Sequence, residues 1–117
     1  MNRGEIYYVS RPESVGAEMQ PAIVVSRQLF ARIAPVQQVV FLTTHVKPGF
    51  ITYVSIASTG RQSTAICEQV TSVSVECFGD LCGVCTSEEM EQIDKAIAWG
   101  LGVNPTPEIG PITEGGD

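Results

Sequence analysis

Two stretches of this 117-residue chain place polar side chains where they could do chemistry. Thr43 and Thr44 close the apolar run Val39-Val40-Phe41-Leu42, and His45 follows them. A hydroxyl at the carboxyl end of a buried strand meets solvent, where it can donate to a phosphate oxygen or a base edge. The commoner use of such a residue is to satisfy strand-end backbone groups. His45, the sole histidine, could accept a proton, but no Cys or Ser stands at a spacing that suggests a partner. The second stretch is Ser63 to Gln69, STAICEQ, in which Ala65, Cys67 and Gln69 alternate with Thr64, Ile66 and Glu68. Gln69 offers both an amide donor and an acceptor to a base edge. Glu68 reads equally well as a salt-bridge or backbone-bonding partner. Cys82-Gly-Val-Cys85 is a single CxxC, with Cys77 upstream. A zinc site needs a second pair, and a thioredoxin-type pair opens a helix, whereas this one falls in a predicted strand. No metal or other cofactor is expected, and there is no Gly-rich phosphate loop.

The elements that must position these groups are mostly short strands. Four apolar residues in a row, β-branched and aromatic and bracketed by Pro35 and Pro48, suit a central strand covered on both faces. Arg3–Val9 predicts a first strand and Pro21–Ser26 a second, with a Pro/Gly/Ser loop between them. Arg27–Ala34 reads as a short helix or one irregular turn. Ile51–Ile56, Ser63–Val73 and Asp80–Cys85 supply further strands. Their number and spacing predict a strongly bent sheet or small barrel. A single amphipathic helix starts near Ser87. Thr86 and Glu89 have capping-box spacing, and Met90, Ile93, Ile97 and Leu101 form one stripe. The fold class expected is mainly β with a C-terminal α-helix. Residues 1–103 read as one domain, and the Pro/Gly-rich acidic residues 104–117 as a disordered tail.

Charge divides along the chain. The net charge is −6. Residues 1–61 are net +3, from Arg3, Arg11, Arg27, Arg32, Lys47 and Arg61 against three glutamates; residues 62–117 carry Lys95 against ten acids. A basic half can present a positive groove on an acidic chain. No apolar run approaches bilayer length, and the first residues lack an apolar signal core. A cytoplasmic protein with reduced thiols is expected, with no membrane partner.

Taken in order, RGEIYYV at Arg3–Val9, the loop ending Gly16-Ala17-Glu18, PAIVVS, VVFLTT, YVSI at Tyr53–Ile56, STAICEQV and TSEEMEQIDKAI resemble the MazF/PemK family of type II toxin endoribonucleases. The similarity spans about residues 1–103, and STAICEQV is its most specific piece. The resemblance implies an SH3-like small barrel, a homodimer, and cleavage of single-stranded RNA without a metal, by attack of a ribose 2′-hydroxyl. It also implies a cognate antitoxin whose disordered segment occupies the RNA groove. Thr43 corresponds to the family's catalytic threonine, and Glu18 and Gln69 to RNA contacts. Thr44 and Arg61 are further RNA-binding candidates.

One departure bears on activity. The family has a Gly-containing insert ending in Arg-Pro before the second strand, and that arginine acts in catalysis. Here Glu18-Met19-Gln20 runs directly into Pro21. Arg61, Arg27 or Arg11 would have to supply the missing charge. The alternative is a catalytically impaired member that binds antitoxin. The bland reading is a small-barrel interaction domain without an RNA role.

Overall fold

The computed structural model describes residues 1–11 and 19–103. Its elements are β1 (Glu5–Val9), β2 (Gln20–Val24), α1 (Gln28–Ile33), β3 (Val36–Thr43), β4 (Tyr53–Ile56), β5 (Ser63–Ile66), β6 (Thr71–Ser74), a 3-10 turn (Val75–Cys77), β7 (Phe78–Val84) and α2 (Ser87–Leu101). All strand pairs are antiparallel. The sheet runs β4-β5-β3-β2-β1-β7, with β6 on β3.

Strand β3 is central because it pairs along both edges. One edge takes β2, with Ala22 opposite Phe41 and Val24 opposite Val39. The other edge is shared: β6 pairs Val36–Val39, and β5 pairs Leu42 and Thr43. Its unbroken apolar run follows from burial on both faces. Val40 and Leu42 join Ile6, Ile23, Ile56 and Ile93 in the core under α2. Val39 and Phe41 pack with Val9, Ala22 and Val73 on the opposite face.

The sheet is not a barrel, and the expected SH3-like closure is overturned by the strand path. Closure needs the terminal strands to reach each other in register. No ladder joins β4 to β7 among the described residues. Strand β4 ends at Ile56, and the Ala57 N–H there donates to the Glu89 carboxylate of α2 at 2.9 Å. A side chain therefore takes the donor that a neighbouring strand would have used. Strand spacing in the sequence specifies how many strands form, not whether the outer two meet.

The helix begins as its sequence requires. Thr86 Oγ1 accepts from Glu89 N at 3.1 Å, and Glu89 Oε1 accepts from Thr86 N at 2.9 Å. Two of the first turn's orphan donors are thereby satisfied. It ends at Gly102, at φ 77°, where Val103 N reaches back to Ala98 O at 2.9 Å. Of the predicted stripe, Ile93 is fully buried and Leu101 is exposed. Residues 28–33 form a true helix, and the buried Gln37 amide donates to its terminal carbonyls, Phe30 O at 3.2 Å and Ala34 O at 3.0 Å. Ser63–Val73 is not one strand: it breaks into β5 and β6 around a turn at residues 67–70. The last strand starts earlier than expected, at Phe78. The predicted disordered tail, 104–117, and most of the loop before Pro21 lie outside the described residues. No helix among the described residues is long and apolar enough to cross a membrane.

Candidate functional site

Strand register brings one row of residues to the carboxyl end of β3. Val9 pairs Gln20, Thr43 pairs Thr64, and Thr64 pairs Ser55. Continuing the β2–β3 register by two residues sets Gln20 opposite Thr43. A cleft of about 280 Å³ opens at this end, lined by Thr43, Thr44, His45 and Arg61 together with Tyr8 and Gln20.

Thr43 is half-buried, and its Oγ1 accepts the His45 N–H at 3.1 Å. A hydroxyl has one proton to donate. With this backbone N–H on its oxygen, the Thr43 proton remains available to a ligand. Thr64 Oγ1 donates to Val46 O at 2.7 Å and holds the segment just beyond His45 against β5. Arg61 enters from the turn before β5. Its carbonyl accepts from Thr59 Oγ1 at 3.1 Å and from Ser63 Oγ at 3.2 Å, so its backbone is held on both sides. Its guanidinium makes no ion pair among the described residues. Arg11 stacks over the Phe41 ring, 3.8 Å from its centroid, and its Nε donates to Gln20 Oε1 at 2.7 Å. A second guanidinium thus stands one side chain from the cleft.

The cleft can bind an anion and move a proton. Arg61 supplies permanent charge and several donors. Thr43, Thr44 and Tyr8 supply hydroxyls, and His45 an imidazole. The thiols do something different. Burial, with Glu68 and Asp94 nearby, pushes Cys67 up to about 12; burial and Glu89 do the same for Cys85. Burial also raises Cys82. These thiols stay protonated at neutral pH and serve as small apolar side chains. The described residues contain no group of His, Cys, Asp and Glu fit to hold a metal.

A family model for the PemK-like, MazF-like toxins of type II toxin–antitoxin systems matches residues 2–101. The chain belongs to this family. Solved structures that share its fold include three that span nearly all of it. An endoribonuclease in complex with its cognate antitoxin, from a mycobacterial species, is 21% identical with TM-score 0.79, covering 91% of this chain and 99% of that one. Another mycobacterial endoribonuclease is 24% identical with TM-score 0.77, over 92% and 95%. A MazE–MazF complex from Deinococcus radiodurans is 15% identical with TM-score 0.74, over 89% and 97%. No curated protein sequence matches the chain.

Of the residues this toxin-family chain was expected to use, Thr43, Thr44 and Arg61 meet in the cleft. Glu18 lies outside the described residues, although its neighbour Met19 lines the cleft. Gln69 is an exposed residue of the turn after β5 and does not line it. The alternation that placed Gln69 on a strand ends at Ile66, where the Ile66 carbonyl accepts Gln69 N at 3.1 Å. Arg27 lines a groove beside α2 instead. His45, Tyr8 and Gln20 join the site. The last two could have been found by carrying the antiparallel register from Tyr8–Pro21 across to Thr43.

Proposed function

We propose that this chain binds single-stranded RNA in the Thr43 cleft and cleaves it by attack of a ribose 2′-hydroxyl on the adjacent phosphate. The convergence of Thr43, His45 and Arg61 in one cleft carries this reading. Arg61 neutralises charge on the pentacoordinate phosphate, the role left open by the missing loop arginine. Thr43 donates to a phosphate oxygen. His45 accepts the 2′-hydroxyl proton; as the 2′-oxygen bonds to phosphorus the P–O5′ bond breaks, and the departing 5′-oxygen takes a proton from water. No metal takes part in these steps. Incubating purified protein with single-stranded oligoribonucleotides tests this, with 2′,3′-cyclic phosphate and 5′-hydroxyl ends expected. Intact RNA, or products with other ends, would refute it.

The family membership and the related endoribonuclease–antitoxin complex support an antitoxin as the natural partner. A disordered acidic antitoxin segment suits the basic half of this chain and competes with RNA. Two copies pair through the apolar surface of α1 and the start of β3, where Leu29 and Ile33 are 67% and 72% exposed. Sedimentation of an Ile33→Asp variant as a monomer tests the pairing.

The short run into Pro21 favours a second reading, a binding module that holds antitoxin without cutting RNA. Antitoxin binding by a protein that leaves all RNA intact would select it.

A further inference from the structure

Resting on the reading of Arg61 just given, we infer that Glu89 is a positioning residue for the cleft: it anchors, from the first turn of α2, the turn that presents Arg61. A series of bonds runs from Glu89 through this turn to the Arg61 backbone. The turn at residues 57–60 joins β4 to the segment carrying Arg61. Gly60 N donates to Ala57 O at 3.0 Å and closes it, with Gly60 at φ 84°. Both oxygens of Glu89 engage this turn. One accepts Ala57 N at 2.9 Å, and the other accepts the Ser58 hydroxyl as well as Thr86 N. From the turn, the Thr59 hydroxyl donates to the Arg61 carbonyl.

Packing restricts the same turn from the other side. A Cβ placed on Gly83 of β7 would fall 2.7 Å from Ser58 O. The turn therefore sits between a glycine that leaves it room and a carboxylate that ties it down. A capping box alone needs Glu89 to accept only the N-cap N–H. The additional bonds to Ala57 and Ser58 have no role in starting the helix. They bridge the margin where the sheet fails to close, and Arg61 is displayed from that margin. Placement errors of about 1 Å at a reacting centre cost as much as roughly a hundredfold in rate. A tether one turn away is close enough to matter on that scale.

The test uses the full chain, steady-state RNA cleavage and thermal melting. Glu89→Gln keeps the shape but weakens acceptance from three donors, and should lower kcat by roughly tenfold or more. Ser58→Ala should lower kcat several-fold while barely moving Tm. Thr86→Ala weakens the cap without touching the turn. It should lower Tm by roughly 5 °C and leave kcat unchanged at temperatures well below melting. The decisive measurement is Glu89→Gln in an Arg61→Ala background, where a tether acting through Arg61 has no further effect on kcat. An equal rate loss in both backgrounds, or a Thr86→Ala defect in kcat matching that of Ser58→Ala, overturns the inference. Undiminished cleavage by Arg61→Ala overturns instead the role of Arg61, and the tether's purpose with it.

Discussion

Two concavities on this molecule differ in size and in what lines them. The groove beside α2, about 580 Å³, is walled mainly by Val25, Val70, Ile97, Ala98 and Leu101, with the Arg3–Asp94 ion pair at its rim. The cleft at the end of β3 is about half as large and holds Thr43, Thr44, His45 and Arg61. In the groove Arg3 and Asp94 neutralise each other and Arg27 adds a further cation, but the rest of the wall is mostly apolar. In the cleft the Arg61 charge has no counter-ion among the described residues. Volume alone would select the groove. The proposed chemistry favours the cleft, because transition-state stabilisation needs donors and charge that are not already used within the fold. The two regions should therefore fail differently when altered.

The largest effect is expected in the cleft. Thr43→Ala and Arg61→Ala should each reduce cleavage by roughly 10²- to 10³-fold. Melting temperatures should stay near that of the unaltered protein, since both side chains lie outside the packed core. A loss of Tm as large as that of a core variant would collapse the distinction between the regions.

On the helix side the same size of change should fall on stability. Ile93→Ala removes a fully buried side chain from the core beneath α2 and should cost about 2–5 kcal/mol, read from urea midpoints. Ile97→Ala, half-buried at the groove, should cost less, about 1–2 kcal/mol. Cleavage per folded molecule should be unchanged in both. A rate defect in folded Ile97→Ala protein would assign the groove a part in catalysis.

A smaller effect is expected from acid. Burial works to raise the Glu89 carboxyl, but hydrogen bonds from Ser58, Ala57 and Thr86 outweigh it, and the net shift is downward. A depressed folded pKa stabilises fully above the unfolded value, about 4.3 for glutamate, and that stability disappears as pH falls through the folded value. The Tm difference between the unaltered protein and Glu89→Gln should therefore shrink as pH drops below about 4.3. A difference that stays constant into strong acid would mean the charge contributes nothing.

The smallest effect concerns the thiols. Cys67 and Cys85, both raised to about 12, should resist alkylation in the native protein at neutral pH and react only on unfolding. Mass spectrometry before and after denaturant checks this. Rapid native labelling of Cys85 would indicate that the α2 edge opens readily.

Much of this molecule is written locally. The run Val39–Leu42 specifies a strand buried on both faces because its four consecutive apolar side chains leave no solvent face and its β-branched and aromatic residues, between Pro35 and Pro48, disfavour a helix. Thr86 and Glu89 specify the start of α2, since the two groups that satisfy each other lie three residues apart. Thr43 was legible as a strand-end hydroxyl for the same reason. The rest depends on groups distant in sequence. Gln69 left its expected place because strand alternation continues in a sequence after the ladder has stopped at Ile66. The barrel expectation failed because closure depends on the mutual reach of β4 and β7, and no local pattern encodes that distance. Tyr8, Gln20, Thr43 and Arg61 come together only through the pairing of strands with one another. The second use of Glu89 was invisible alongside its first: a capping box is read over four residues, whereas its bonds to Ala57 and Ser58 span about thirty. Short-range hydrogen bonds and burial are settled by composition and spacing, but register and the meeting of distant turns are settled only when the whole sheet packs.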